Sequence, residues 1–323
     1  MALRPASASK HSQPDRLEGG FGDVRAPVWS RRPCYARGVE LRADDLAAYA
    51  RLAAPDRPDA VDRMRGEFER GERRFADVFV ARALGGELTA ALRAAPAGPA
   101  TVVLAGPFGD DDAAARLVPE ALARARELGA RLVRIRPRAA QLGPRFRAAL
   151  LGHGFRELGE RIEFKTPVAE LPLDDGRTLA EVGGDAAAEM LARAAAGDPR
   201  GDDENDDPRA AIAEFLGAPA LTHGPDCVQV GYLDGRPVAF VCAQVQPTDG
   251  WARITYMGVV PEERGRGLGA WVHRRGFRIL RDQGGQLYHG GTAAANAPML
   301  RLFRAHKCRE TERMFEFEWV AAR

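Results

Sequence analysis

The sequence predicts an α+β protein of two tandem domains, each a mostly antiparallel, mixed and twisted sheet flanked by helices. Its 323 residues are too many for one ordinary core, since domains average roughly 150 residues. Short Val- and Ala-rich runs bounded by Gly and Pro predict strands, and longer stretches with apolar residues at helical spacing predict helices. The same order of elements occurs twice along the chain, so we expect two domains.

The predicted first domain covers residues 36–168 and follows a polar leader, residues 1–35, that we expect to be disordered because it is rich in Gly, Pro and Ser. Two helical stretches open the domain, and three strands separated by turn residues then favour an antiparallel meander. A helix over residues 110–129 begins with three Asp, which suit the positive end of its dipole. A strand, a short helix and a last strand or hairpin at 155–167 complete the domain.

The predicted second domain, residues 169–323, repeats this order. Two helical stretches precede a hairpin whose Asp234-Gly235 pair is a strong signal for a two-residue turn. A strand at 251–260 then leads through a glycine-rich loop into a helix with an apolar stripe. Repetition over this length indicates duplication of a whole domain, since the units of a solenoid run to about 20 to 50 residues.

Composition argues against several classes of protein. The formal net charge of +2 and the scattered basic residues argue against a nucleic-acid partner. No apolar run approaches the roughly 20 residues that cross a bilayer, and no apolar signal segment opens the sequence. We therefore expect a cytoplasmic protein without a membrane partner. The four cysteines form no CxxC pair and no Cys/His cluster at metal spacing, which predicts free thiols and no metal site.

The most informative segment is the loop PEERGRGLG at 261–269, between a strand and a helix. Its glycines let a phosphate approach the main chain, and the helix dipole and the arginines favour negative charge. The alternative is a plain strand-to-helix turn with solvated arginines. A P-loop is excluded because no Lys follows the glycines. Gly265, Gly267 and Ala270 formally match a dinucleotide fingerprint, but the surrounding strands look antiparallel and no acidic residue ends the next strand.

The loop with its preceding strand, GVVPEERGRGLG, resembles the acyl-CoA loop of the GNAT superfamily of N-acyltransferases. The downstream segment TAAANAPMLRLFRAHKC is similar to the asparagine-led helix of that family, at the usual separation. The resemblance covers most of residues 170–320 and implies acetyl-CoA as co-substrate, with two tandem GNAT-like domains. Aligning Glu157 with Glu310 indicates that the first copy is degenerate. That alignment places Asp111, Ala114 and Arg116 where the second half has Arg264, Gly267 and Gly269.

The resemblance implies roles for individual residues. Main-chain amides of the loop are expected to hold the pyrophosphate, with two arginine side chains beside it; the loop residues are Arg264, Gly265, Arg266, Gly267, Leu268 and Gly269. Val259 is expected to pair with the pantetheine arm, and Met257 to offer its N–H to the thioester carbonyl as an oxyanion donor. Asn296 is expected to contact the pantetheine or to orient its helix. Phe303, grouped with these cofactor-binding residues, replaces a tyrosine that often protonates the thiolate in the family.

Several residues are candidates for the base that deprotonates the acceptor amine. Tyr256 stands where the family frequently has an acid, and Tyr288 and His289 on the following strand are the catalytic candidates. Core packing is the alternative for Tyr288, and a surface or core position is the alternative for His289. Glu262, Glu263 or water-mediated deprotonation could serve instead. The acidic segment at 197–209 is either a solvated loop or a border of the acceptor site that attracts a cationic amine.

These observations predict an acyl-CoA dependent N-acyltransferase that transfers an acetyl group by direct attack of an amine on the thioester. The acceptor partner is expected to be an amine of a small molecule or a peptide. The alternative is a non-catalytic acyl-CoA-binding or regulatory protein, favoured by Phe303 and by the lack of a clear base. A structural dimer without affinity for acetyl-CoA is a third interpretation. The acceptor and the oligomeric state stay open.

Overall fold

The predicted α+β class is confirmed in a computed structural model, in which 12 strands form one largely antiparallel sheet flanked by helices. The structure describes residues 39–98, 100–168, 177–197, 208–216, 224–248 and 250–322. The predicted leader and most of the acidic segment lie outside these residues. None of the helices in these ranges is long and apolar enough to cross a membrane.

The elements follow the predicted order. The strands are β1 (Val39–Glu40), β2 (Val78–Arg82), β3 (Leu88–Gly98), β4 (Thr101–Gly109), β5 (Leu132–Ile135), β6 (Arg156–Pro167), β7 (Arg177–Thr178), β8 (Val228–Leu233), β9 (Arg236–Gln246), β10 (Trp251–Val259), β11 (Leu287–Ala293) and β12 (Arg309–Val320). The helices are α1 (Leu46–Ala53), α2 (Ala60–Glu69), α3 (Asp111–Ala115), α4 (Val118–Glu127), α5 (Pro144–Gly152), α6 (Leu179–Val182), α7 (Gly184–Ala195), α8 (Pro208–Leu216), α9 (Leu268–Asp282) and α10 (Ala297–Ala305).

Local sequence signals account for a hairpin turn and for a helix that is shorter than predicted. Asp234 and Gly235 both have positive φ, 50° and 75°, as a type I′ hairpin turn requires. The single helix predicted over residues 110–129 is wrong, because the segment forms the two helices α3 and α4. Pro119 lies in the first turn of α4 and has no N–H to donate to an upstream carbonyl, so one continuous helix cannot form. The segment at 155–167, left open as a strand or hairpin, is the single strand β6.

The two halves of the chain exchange their last strands. The sheet order is β1-β2-β3-β4-β5-β12-β6-β11-β10-β9-β8-β7. The last strand of the second half, β12, therefore lies against β5, and the last strand of the first half, β6, lies against β11. The two exchanged strands pair with each other along most of their length. The sequence did not predict this exchange, and the proposed boundary at residues 168 and 169 falls between β6 and β7.

Each exchanged strand completes the apolar core of the other half. Phe317 of β12 is fully buried in the core formed with helices α3, α4 and α5 of the first half. Ile162 and Phe164 of β6 are buried in the core formed with α7, α9 and α10 of the second half. Burying a side chain of this size contributes about 1.5 to 3 kcal/mol to the free energy of unfolding. The stability of each core therefore depends on a strand from the other half.

The opposite face of the exchanged strands carries paired charges. Glu316 of β12 is 2% exposed, and Arg136 donates to its carboxylate over 2.8 and 2.6 Å. Glu318 accepts from Arg134 at 3.4 Å and from Arg156 at 3.2 Å. Removing one member of a buried pair costs about 3 to 5 kcal/mol because it leaves an uncompensated charge. These pairs therefore specify the position of β12 as well as stabilising it.

The exchange predicts that the halves do not fold separately. We expect a fragment of residues 169–323 to lack a native monomeric state, because β12 pairs only with β5 and β6 among the described strands. Co-expression with a fragment of residues 36–168 should restore a 1:1 complex with native near-ultraviolet circular dichroism, measured after size-exclusion chromatography with light scattering. A monomeric 169–323 fragment with cooperative unfolding would contradict the prediction.

Candidate active site

A cleft opens in the sheet between β10 and β11. These parallel strands pair only at Trp251 with Leu287 and at Ala252 with Tyr288. Beyond that point β10 stays with β9 as far as Val259, while β11 stays with β6 as far as Ala293. A register shift between Ile254 and Tyr256 marks a bulge that bends β10 further. The strands diverge because each follows a different neighbour, and the main-chain groups that line the gap can meet a ligand.

The predicted phosphate loop lies at the open end of this cleft and leads into α9. Gly265 and Gly267 have φ of 79° and 81°, values that an L-side chain rarely adopts. A side chain at either position would meet no atom within 4 Å, so the space beside both glycines is open. The first N–H groups of α9 have no partner within the helix, and they carry the positive end of its dipole. The loop can therefore accept an anion.

The arginine side chains of the loop are engaged by the protein. Arg264 donates to the carbonyl oxygens of Val259 at 2.9 Å, Ala194 at 3.0 Å and Ala196 at 2.8 Å. It thereby ties the loop to the end of β10 and to the carboxyl end of α7, where a cation is favourable. Arg266 is paired with the buried Glu263. The flanking role predicted for the two side chains is untested, and the geometry gives Arg264 a positioning role.

The remaining predicted ligand-binding residues lie along the cleft. Met257 and Val259 are on β10, where they pair with Val241 and Ala239 of β9. Gly269 faces α10, since a side chain there would come within 3.2 Å of Leu302 Cδ1. Asn296 caps α10, with its Oδ1 accepting from the N–H of Met299 at 3.2 Å. The elements thus bring the loop, the cleft wall and the start of α10 together.

An aromatic cluster fills the helix side of the cleft. Phe303 is 1% exposed and stacks on Phe164 with ring centroids 4.4 Å apart. Tyr288 is 1% exposed, and burial raises the pKa of its phenol well above the ordinary value. Its hydroxyl lies 3.5 Å from Nε2 of His273, a fully buried residue of α9. The Tyr288 phenol is therefore neutral and enclosed in the core, a poor base for a solvent-borne amine.

A pair of histidines that the sequence did not single out adjoins this cluster. The Nδ1 atoms of His273 and His306 lie 2.6 Å apart, and the rings stack with centroids 4.8 Å apart. Burial, and then the neighbouring His306, lowers the pKa of His273 to about 3. Burial also lowers the pKa of His306. One nitrogen of the pair must donate while the other accepts, so both rings cannot be charged together.

The other face of the cleft carries the remaining candidates. His289 lies 5.2 Å from the Trp251 ring and pairs in register with Lys165 of β6. Glu262 and Glu263 form ion pairs, with Arg193 at 2.7 Å for Glu262 and with Arg236 at 3.5 Å for Glu263. Within the described part of the chain, no group of three His, Cys, Asp or Glu side chains could hold a metal ion.

The corresponding place in the first half is closed by a carboxylate. There β4 and β5 also pair over only a short stretch, from Thr101 to Leu104 of β4. Asp111 accepts from the N–H groups of Arg145 at 3.0 Å and Phe146 at 2.9 Å, at the start of α5. A side chain on Gly143 would overlap this carboxylate. These amides begin α5, which the repeat alignment superimposes on α10. In the segment aligned with the loop, the N–H of Ala113 donates to Oδ1 of Asp110 at 2.8 Å.

The family model for the acetyltransferase (GNAT) family matches residues 189–307, which include the cleft strands, the loop, α9 and α10. Residues 189–307 form a GNAT domain. Membership of this family implies acyl-CoA dependent acyl transfer with acetyl-CoA as co-substrate. No curated protein matches the chain.

Solved structures share the fold over most of the chain. A GCN5-related N-acetyltransferase from Sphaerobacter thermophilus is similar with a TM-score of 0.59 and 17% identity, over 88% of this chain and 95% of that one. A tandem GNAT protein from the clavulanic acid biosynthesis pathway is similar with a TM-score of 0.50 and 16% identity, over 90% of this chain and 99% of that one. The glucosamine N-acetyltransferase region of a fungal β-N-acetylglucosaminidase is similar with a TM-score of 0.53 and 14% identity, over 92% of this chain and 39% of that protein. At these identities the likeness shows the GNAT fold.

The histidine pair predicts acid-sensitive stability. An unfolded histidine has a pKa of about 6.5, whereas His273 in the folded protein stays neutral to about 3. Between pH 7 and 5 the unfolded state takes up a proton that the folded state does not. The free energy of unfolding should therefore fall by about 2 kcal/mol from this residue alone. Urea unfolding at pH 7, 6 and 5 measures the loss.

The matched variants are His273→Phe, which removes the buried titration, and His153→Gln, which removes an exposed histidine. We expect the loss between pH 7 and 5 to shrink in the first variant and to persist in the second. Equal pH dependence in His273→Phe and the wild type would show that the pair does not control acid stability.

Proposed function

We propose that the protein is an N-acyltransferase that transfers the acetyl group of acetyl-CoA to an amine in the cleft between β10 and β11. The observation that carries the proposal is the open, glycine-lined start of α9 at the mouth of that cleft. Two positive-φ glycines with empty space beside them fit a ligand that approaches the main chain. The diphosphate of the coenzyme has the charge that the helix terminus favours.

In this proposal the chain orients the thioester chiefly by its main chain. Amides from Gly265 to Gly269 hold the diphosphate, because the N–H of Arg264 already donates to the carbonyl oxygen of Pro261 at 3.2 Å. Val259 pairs with the pantetheine arm, and the N–H of Met257 polarises the thioester carbonyl. Asn296 fixes α10 beside the arm through its cap on Met299. The neutral amine nitrogen forms a bond to the carbonyl carbon while the carbon–sulfur bond breaks, and water accepts the proton that the nitrogen loses. Water protonates the thiolate, because Phe303 has no proton to give and is buried.

We further propose that the first half is a degenerate copy that binds no acyl-CoA. Asp111 lies at the position that the repeat alignment superimposes on Arg264, and its charge opposes an anion there. Its strand β6 pairs with β11, so this half supports one wall of the cleft.

A charge placed in the loop should abolish binding of the coenzyme. Asp and Asn both tolerate positive φ, and nothing lies within 4 Å of a side chain at Gly267. We expect Gly267→Asp to raise the Kd of acetyl-CoA at least tenfold, by about 1.4 kcal/mol or more. The isosteric Gly267→Asn, without the charge, should raise it less than about threefold. Isothermal titration calorimetry measures both.

The charge effect of Gly267→Asp should weaken at high salt, because ions screen an exposed charge. If Gly267→Asp and Gly267→Asn bind acetyl-CoA with the same affinity, whether or not it is weaker than that of the wild type, the result would argue against a diphosphate at this loop.

Turnover separates an enzyme from an acyl-CoA-binding protein. We expect the wild type to release free thiol from acetyl-CoA in the presence of at least one amine of a panel of glucosamine, spermidine, an aminoglycoside and a lysine-containing tetrapeptide. The thiol is detected by a colorimetric disulfide reagent, and mass spectrometry should find the acetylated amine. Gly267→Asp is the control without coenzyme binding. Tight acetyl-CoA binding without thiol release from any amine would favour the non-catalytic alternative.

A further inference from the structure

Two consecutive glycines of β11, Gly290 and Gly291, each lie directly beneath a polar side-chain group. A side chain on Gly290 would overlap the hydroxyl of Tyr288, and one on Gly291 would overlap the carboxylate of Glu163. Successive positions of a strand face opposite sides of the sheet, so the phenol and the carboxylate lie on opposite faces of the cleft wall. Glycine inside a strand weakens it, and a close approach of this kind is a usual reason for it.

Glu163 reaches this place from the first half of the chain. It lies on β6 directly opposite Gly291 in the antiparallel register, and partners in such a pair are about 5 Å apart. Because its carboxylate stands over the α-carbon of Gly291, the side chain has leaned across that distance onto the strand that lines the cleft. A larger residue at Gly291 would push it away.

The surroundings of Glu163 keep the carboxylate oriented but accessible. Arg161 donates its Nε–H to Glu163 at 2.6 Å, and the two side chains are 24% and 19% exposed for Glu163 and Arg161 respectively. The neighbouring carboxylate across the ladder, Glu312, is paired instead with Arg138 at 2.6 Å. Glu163 is therefore the carboxylate that this face presents over β11.

The aromatic cluster restricts the approach of an acceptor to this face. On the helix side, Tyr288 and Phe303 are 1% exposed and His273 is fully buried, so no polar molecule can enter there. The opposite face carries His289 and the Glu163 carboxylate, both beside β11 and both partly accessible. An amine that approaches the cleft from this face meets the Glu163 carboxylate beside β11.

We propose that Glu163 binds the amino group of the acceptor and makes the enzyme selective for cationic amines. This inference rests on the proposed function, and it assigns the acceptor site jointly to both halves of the chain. A carboxylate that holds a protonated amine forms a charge-assisted hydrogen bond, the strong kind. The bound ammonium group loses a proton to water before its nitrogen attacks the thioester. Arg161 and Gly291 act as positioning residues, the first by orienting the carboxylate and the second by leaving space for it.

The test compares Glu163→Gln with Glu160→Gln. Glu160 is on the same strand, is similarly exposed at 30%, and is paired with Arg313 at 3.1 Å away from the Glu163 face. With the best amine of the panel above, we expect Glu163→Gln to raise the acceptor KM at least tenfold and to leave the Kd of acetyl-CoA within twofold. Glu160→Gln should leave both unchanged. Circular dichroism and thermal unfolding establish that each variant is folded.

A second variant tests the geometry without removing the charge. Gly291→Ala should displace the carboxylate and raise the acceptor KM in the same way, and adding it to Glu163→Gln should have little further effect because both act on one contact. If the wild type turns over and either single variant keeps the wild-type acceptor KM, the inference is wrong while the proposed function stands. If the wild type releases no thiol with any amine, the proposed function fails and the inference falls with it.

Discussion

The exchange of β6 and β12 is the constraint on which the rest of the structure depends. Because β6 holds β11 while β9 holds β10, the two central strands of the second half diverge and leave a cleft. The first half thereby supports one wall of a site whose phosphate loop belongs to the second half.

The two halves use one loop position with opposite charges. Arg264 and Asp111, which the repeat alignment superimposes, both tie their loop to a helix end. Arg264 meets the carbonyls at the carboxyl end of α7, and Asp111 meets the amides at the amino end of α5. Each sign suits the dipole that it meets. The same loop position is thus tied to the carboxyl end of one helix in the second half and to the amino end of another in the first half.

Sequence reasoning found what local chemistry determines. The hairpin at Asp234-Gly235, the positive-φ glycines of the loop and the asparagine cap of α10 are set by a few adjacent residues, and their signals are readable. The exchange was beyond reach because β6 and β12 both fit the last position of either half by hydrophobic pattern. Glu163 was missed for the same reason, since its place over Gly291 exists only after the exchange. The two consecutive glycines inside β11 are a sequence signal for a close neighbour, because glycine in a strand often marks a close approach of another group.

Charge at one position favours the observed place of each of the two similar strands. In the repeat alignment Lys165 of β6 corresponds to Glu318 of β12, the residue that meets Arg134 of β5. With β6 beside β5, a lysine would face that arginine, and an attraction would become a repulsion between partly buried groups. The exchanged arrangement instead pairs Glu316 and Glu318 with arginines of the first half. The specificity for β12 as the neighbour of β5 thus comes both from the attraction between Glu318 and Arg134 and from the repulsion that Lys165 would cause in the same place. The same exchange carries Glu163 to β11, so the proposed acceptor contact depends on the strand order that the pair of Glu318 and Arg134 favours.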